Sequence, residues 1–517
     1  MALTSHPVSN SSQGGDGVKQ WLGIKYAALQ HKFAEAQLCE YTDIKTFDDS
    51  NHGLSAISPP NACEHEFGLI QKSLPVTKFS QSDTECLNLN ITAPADALHA
   101  PSALPVFVFI HGGGFSIGSN AWPQYDQARI VTLSKELGIP VIGVGINYRL
   151  GPFGFLTSKE LQDHGYSANN GLKDQQVALL WIKKHIALFG GDPNRITCMG
   201  ESAGAVSTMH QIKLGAGTPS FSQFISLSGS PLMMRPLPSF VANDIYQTVT
   251  AILGLQDLSA ADRVAALSSM PATELLMKLP PGLPFLPVLD ERTIKKDTGF
   301  AELALDTKTE LPENINMLIG SCDMDASIFG IMLASKQTGC LKRFVEILNE
   351  FALPHTSEIL RAYHITPEMN DSEAWPLILH FANDIGFHAP ASAYASAWKS
   401  TAYQYRFREP NPWEGPWKGY ATHVLDVAYL FLNYTEDMSK SQAELAVEFA
   451  TDIIRFINGK APFQKVEQGS KFVKEYISED GKTLSRDKEG NDTVWPALFS
   501  QAGYDAMSGV WAKFLSS

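Results

Sequence analysis

The sequence predicts an α/β protein with a mostly parallel central sheet covered by helices on both faces. Three observations predict it. Short, continuously apolar runs recur along the chain, as strands buried on both faces require. A long amphipathic helical pattern lies between two of these runs. Strand and helix patterns alternate rather than cluster, which favours parallel pairing through helical crossovers.

The strands are read at residues 106–110 (VFVFI), 140–146 (PVIGVGI), 195–199 (RITCM), 223–227 (QFISL), 316–319 (NMLI) and 403–407 (YQYRF). Between the second and third runs, Ala178, Ile182, Ile186 and Phe189 share one helix face within residues 172–189. Gly190-Gly191 then supplies the backbone freedom that helix ends often need. Near the C-terminus Ser441 and Glu444 form a candidate capping box. Leu445, Phe449, Ile453 and Phe456 give that helix its apolar stripe, and Asn458-Gly459 closes it. No stretch reads as a linker, so residues 1–517 are expected to form one domain. Residues 1–18 are expected to be a loose arm, and 231–311 and 326–422 helical excursions roofing a site.

The chain has 517 residues, 44% apolar and 18% charged, which suits a globular protein able to bury a large core. Its formal net charge of −14 repels phosphate backbones and anionic lipid, so nucleic-acid binding and polybasic membrane docking are not expected. The first residues lack a basic start followed by an apolar run, and no later run has the length of a membrane span. A cytoplasmic location without membrane insertion is therefore expected. The six cysteines are too sparse for a disulfide scaffold and are expected to be mostly buried thiols. The sequons Asn90-Ile91-Thr92 and Asn433-Tyr434-Thr435 matter only in a secreted chain.

The strongest local signal is Gly200-Glu201-Ser202-Ala203-Gly204, after the strand RITCM and before a helical pattern. A G-x-S-x-G turn in that context raises a serine hydroxyl clear of the sheet and turns the Ala203 N–H toward a reacting oxygen. Ser202 is thus the candidate nucleophile. His111-Gly112-Gly113-Gly114-Phe115 directly follows the strand VFVFI. Consecutive glycines leave N–H groups unblocked, so Gly113 and Gly114 join Ala203 as candidate donors to an oxyanion.

With these motifs the sequence resembles the type-B carboxylesterase family, which includes cholinesterases and fungal lipases. Its character is nearest to fungal intracellular carboxylesterases. Further blocks carry the resemblance: Leu22-Gly23-Ile24-Lys25-Tyr26-Ala27, Glu85-Cys86-Leu87-Asn88-Leu89-Asn90, Asn147-Tyr148-Arg149, Asn170-Gly171-Leu172, Phe189-Gly190-Gly191-Asp192-Pro193 and Ser228-Gly229-Ser230. The match is dense to about residue 231 and thinner beyond. It implies the α/β-hydrolase fold and an ester substrate. It also implies an acid five positions after a strand-ending glycine; here Gly320 leads to Asp325, with Asp323 as the nearby rival. Aspartate stands where glutamate is usual, so the loop must approach the histidine more closely. The base is implied to be His423, in Ala421-Thr422-His423-Val424-Leu425-Asp426. The histidines His355, His364, His380 and His388 lack such neighbours.

The departures are also informative. The family's cysteine pair maps to Cys63 and Cys86, whose bridging stays open. The loop between them holds Phe67 and Phe79 but no tryptophan, which argues against a choline ester. It is also too short for a long mobile lid. Lys32 and Thr84 replace the usual arginine and glutamate, so a salt bridge there is expected to be lost.

The expected chemistry is hydrolysis of a small-to-medium apolar ester through an acyl-enzyme. Ser202 attacks, His423 takes the proton, Asp325 orients the imidazole, and protonation of the base in acid is expected to silence it. Transfer to an alcohol, as in a transacylase or cyclising enzyme, uses the same trio; a non-catalytic binding module is the remote alternative. Phe115, Glu201, Met233 and Phe285 are the candidate substrate-binding residues; Glu201 is equally a structural support under the turn. No metal or cofactor is implied, since His65-Glu66 lacks a second histidine and the glycine triplet lacks a phosphate-loop ending.

Overall fold

The computed structural model describes residues 17–43, 51–214, 219–304, 312–467, 472–479, 482–489 and 495–517. Most of the expected N-terminal arm lies outside them; its last residue, Val18, already opens a strand.

Ten strands form one sheet. They are β1 (Val18–Lys25), β2 (Asn88–Pro94), β3 (Leu104–Ile110), β4 (Ile142–Ile146), β5 (Gly191–Glu201), β6 (Gln223–Leu227), β7 (Asn316–Cys322), β8 (Ala402–Phe407), β9 (Phe472–Glu479) and β10 (Lys482–Glu489). The spatial order is β1-β2-β4-β3-β5-β6-β7-β8-β9-β10. Pairing is parallel from β4 to β9 and antiparallel at the two ends.

The apolar runs are continuous because each strand feeds two cores. Val106, Val108 and Ile110 of β3 face one cluster, while Phe107 and Phe109 face the other. Met317 and Ile319 of β7 face the first and Leu318 the second. Successive side chains of a strand point to opposite faces, so both must be apolar when both are covered.

Helix Asn170–His185 continues as a 3-10 turn, Ile186–Phe189, ended by Gly190 at a φ of 87°. The C-terminal stripe lies on helix Lys440–Ile457, but its cap is not Ser441. Ser439 accepts from the Gln442 N–H and Gln442 reaches back, so the capping box sits two residues earlier. Among the described residues, helices lie within 231–304 and within 326–422, and β8 threads the second of these stretches. No described helix is long and apolar enough to cross a membrane.

Lys32 loses no anchor for want of a glutamate. Its ammonium donates to the Ser268 and Met270 carbonyls at 2.6 Å each, where helix Ala260–Ser269 ends. Unpaired C-terminal carbonyls make that end a natural seat for a cation. Below it, Arg149 and Asp174 form a buried ion pair at 2.6 Å, and Arg149 also reaches the Lys32 and Ala34 carbonyls. Cys63 and Cys86 are separate thiols, one in each core cluster. Both sequon asparagines are engaged: Asn90 on β2 accepts the Gly23 N–H and donates to the Asn120 carbonyl. Asn433 donates to the carbonyls of Pro123, Gln124 and Asp126.

Candidate active site

The register lines up the strand ends that matter. Ile110 pairs with Gly200, Gly200 with Ser226, Leu227 with Gly320, and Gly320 with Tyr405. Loops leaving β3, β5 and β7 therefore meet at the carboxyl ends of parallel strands, where open α/β sheets form crevices.

Ser202 sits between the end of β5 and helix Ala203–Leu214 with a φ of 52°. A serine occupies that left-handed region only when its surroundings impose it. Here its N–H bonds the Leu227 carbonyl at 2.9 Å and its carbonyl accepts from Val206 at 3.0 Å. The flanking glycines are required by contact. A methyl on Gly200 would stand 2.2 Å from the Gly204 backbone, and one on Gly204 only 1.9 Å from the Ile110 oxygen. Ser202 keeps 8% exposure, whereas Glu201 and Ala203 are wholly buried.

The glycine loop faces this kink. The methyl position of Gly112 lies 2.3 Å from Glu201 Oε2 and 2.9 Å from Ser202 Cβ. Gly113 and Gly114 follow with φ of 92° and 59°, and the Gly113 carbonyl closes the loop by accepting from Ser116 and Ile117. Neither glycine N–H has a backbone acceptor among the described residues. The Ala203 N–H opens its helix and has no carbonyl a turn below.

Asp325 and His423 meet in the buried interior: Asp325 Oδ1 accepts from His423 Nδ1 at 2.8 Å, and Oδ2 accepts from the Cys322 N–H at 2.7 Å. Their loops are clasped. The Met324 N–H bonds the Ala421 carbonyl at 2.8 Å, and the His423 N–H bonds Ser327 Oγ at 3.0 Å. The clasp is how the shorter aspartate reaches the imidazole. Asp323, the rival, is taken by Arg406 and by Arg408.

The other face of the imidazole meets Glu201. His423 Nε2 lies 3.2 Å from Glu201 Oε1, within ion-pair reach, yet neither Glu201 oxygen makes a hydrogen bond. No hydrogen bond joins Ser202 Oγ to His423 in this arrangement, so the expected serine–histidine contact is open. Burial, with Glu66, Asp426 and Asp325 close by, pushes the Glu201 carboxyl well above the usual carboxylate range. That favours its neutral form beside Nε2. Burial also raises Asp325, against the opposing hydrogen bond from His423. Asp426 is pushed up to about 6 by burial and by Asp325, and takes the Tyr405 hydroxyl at 2.6 Å.

A hydroxyl on a strained turn, a glycine loop packed against that turn, and an imidazole held by a buried carboxylate together make an arrangement able to carry acyl transfer. No described cluster of three His, Cys, Asp or Glu side chains is placed to hold a metal ion.

The apolar candidates divide. Phe115 is wholly buried with its ring 4.8 Å from that of Phe155, and its carbonyl accepts from Gly151. It anchors the glycine loop from the core and does not face an accessible wall. Met233 and Phe285 lie on neighbouring segments joined where Leu237 bonds the Pro287 carbonyl. A cavity of about 750 Å³ is bounded by Ser55, Pro59, Phe79, Ser119, Trp122 and Ala272 among others, and none of the candidate site residues lines it. Sequence reasoning missed Ser327 and the ring of Phe387, which packs 5.5 Å from that of His423. No sequence pattern singles out either.

Comparison with known proteins supplies the family and the fold. Residues 8–498 match the carboxylesterase family. The chain is 30% identical over 444 residues to a para-nitrobenzyl esterase of Bacillus subtilis, covering 83% of this chain and 82% of that one. It is 30% identical over 391 residues to the human bile salt-activated lipase, covering 68% of this chain and 49% of that one. A solved para-nitrobenzyl esterase structure superposes with a TM-score of 0.70 at 25% identity, covering 92% of this chain and 94% of that one. The carboxylesterase of Geobacillus stearothermophilus shares the fold, with a TM-score of 0.72 at 24% identity over 95% of this chain and 97% of that one.

Proposed function

Because the chain belongs to the carboxylesterase family and is a carboxylester hydrolase, we propose that it cleaves small-to-medium apolar esters through an acyl-enzyme on Ser202. The observation that carries this reading is the buried Asp325–His423 bond, whose imidazole presents its other nitrogen to the residue next to Ser202.

In this reading Ser202 Oγ attacks the ester carbonyl and passes its proton to His423 Nε2. Asp325 keeps the proton of the ring on Nδ1, so that Nε2 is free to accept, and it stabilises the imidazolium that results. The N–H groups of Gly113, Gly114 and Ala203 receive the charge on the carbonyl oxygen; one such donor is worth roughly 3 kcal/mol of barrier. His423 returns the proton to the leaving alcohol. Water, activated by the same nitrogen, then releases the acid. Substrate binding has to close the Ser202–His423 contact, a tightening common to such sites. Glu201, held neutral, leaves the carboxylate of Asp325 as the charged partner of the imidazole.

The relative named for para-nitrobenzyl esters makes esters of aromatic alcohols, benzylic and phenolic, the first substrates to try. Incubation with a fluorophosphonate probe should label the wild-type chain and not Ser202→Ala, and Ser202→Ala should lose p-nitrophenyl butyrate hydrolysis. Labelling of the variant at the wild-type rate would refute the assignment.

A further inference from the structure

The chain between the acid and the base does more than return to the sheet. Helix Asp371–Asn383 runs into a π-helical turn, Asp384–His388, and then into helix Ala389–Ala397. The Ala389 N–H bonds the Asp384 carbonyl five residues back. Pro390 supplies the cause: it has no N–H for the ladder, and its ring clashes with a carbonyl four residues back. In an α-helix, residues three or four apart share a face. A bond to the fifth residue instead stacks Asn383 with His388, and π turns are frequently functional.

That face points at the acid loop. Asn383 Oδ1 accepts from the Ala326 N–H at 2.9 Å, and Nδ2 donates to the Asp323 carbonyl at 3.0 Å. One buried carboxamide therefore holds the backbone on both sides of Asp325. It cannot turn over, because the Ala326 N–H can only donate and the Asp323 carbonyl can only accept, and the Nδ2 so placed also meets His388 Nε2 at 2.9 Å. His388 must accept there, so its Nδ1–H donates to Ser321 Oγ at 2.7 Å, on β7 itself. Burial, with Arg406, His380 and Arg408 nearby, pushes the His388 ring well below its ordinary value and keeps it neutral, as this donor pattern requires. From the same turn Phe387 backs the His423 ring.

We propose that Asn383 is a positioning residue for ester hydrolysis: it fixes the 323–324 and 325–326 peptides on either side of Asp325, and through Asp325 it sets the place and tautomer of His423. The proposal rests on the reading of Ser202, Asp325 and His423 given above. Asn383 is fully committed to protein partners and does not touch substrate. Its effect must therefore appear in turnover rather than in binding.

The test uses the full chain and p-nitrophenyl butyrate. Asn383→Ala should lower kcat roughly 10- to 100-fold, the scale of a small misplacement of catalytic groups, with KM changed less than about threefold. In an Asp325→Asn background the same substitution should cost almost nothing further, since it acts through that carboxylate. Ser321→Ala, which cuts the outer end of the chain of bonds, should lower kcat severalfold on its own and decides the matter if Asn383→Ala fails to fold. Wild-type kcat in either folded variant, or full additivity with Asp325→Asn, overturns the proposal. Loss of activity in Ser202→Ala and Asp325→Asn alongside an unaffected Asn383→Ala would sink this inference alone, whereas an active Ser202→Ala would sink the parent reading.

Discussion

Replacing Asp325 by asparagine changes one atom and should disable the enzyme without unfolding it. Both carboxylate oxygens are committed: Oδ2 to the Cys322 N–H at 2.7 Å and Oδ1 to His423 Nδ1 at 2.8 Å. The Cys322 donor belongs to the backbone at the end of β7 and cannot change its role. The amide oxygen must therefore face Cys322, which leaves the NH₂ facing His423. Nδ1 then has to accept, and the ring proton moves to Nε2, the nitrogen that should take the proton of Ser202. The same tautomer trap in a serine protease triad lowers kcat by about 10⁴, or about 5.5 kcal/mol of barrier. Stability should hold or rise, because burial already raises the Asp325 carboxyl and an amide escapes that cost. The assay is steady-state hydrolysis of p-nitrophenyl butyrate at pH 8 beside a thermal melt. A kcat within tenfold of wild type would refute the tautomer argument, and so would a loss that merely tracks unfolding.

Two further substitutions test what holds the scaffold. Asp174→Asn leaves the buried Arg149 guanidinium with acceptors but no counter-charge, so it should cost about 3–5 kcal/mol in urea unfolding; a loss under about 1 kcal/mol would contradict the account. Asp426→Asn should act in a pH-dependent way. A carboxyl raised to about 6 in the fold from about 3.9 unfolded contributes stability that is whole below pH 4 and lost as pH rises through 6. Its asparagine variant should gain up to about 3 kcal/mol over wild type at pH 8 and nothing at pH 4. An equal difference at both pH values would count against it.

The sequence reveals the six central strands because their residues are apolar on both faces, and β6 is bounded as expected at Gln223–Leu227. It conceals β1 and β2 because polar residues such as Gln20, Asn88 and Asn90 interrupt them while meeting partners far along the chain. The elbow at Ser202 is readable since two glycines and a strand announce it. The choice of Asp325 over Asp323 follows only from the resemblance, because its physical ground, Arg406 and Arg408 claiming Asp323, lies on β8 and just beyond it. The capping box slipped by two residues since Ser439 and Ser441 both suit the role, and Gln442 serves as well as a glutamate. Phe115 looks like a pocket wall in sequence, but adjacency to the glycine loop carries no direction, and its side chain turns inward onto Phe155. His388 resembles an isolated histidine until the π turn stacks it with Asn383.

Asn433 offers a last consequence. Its carboxamide is spent on three carbonyls of the segment 123–126. An oligosaccharide on that nitrogen and the docked conformation exclude one another. If the chain were made in a compartment with the transferase, the outcome would be a race between sugar transfer and docking. The slower the segment seats, the more product would be trapped with a sugar standing between residues 123–126 and their seat.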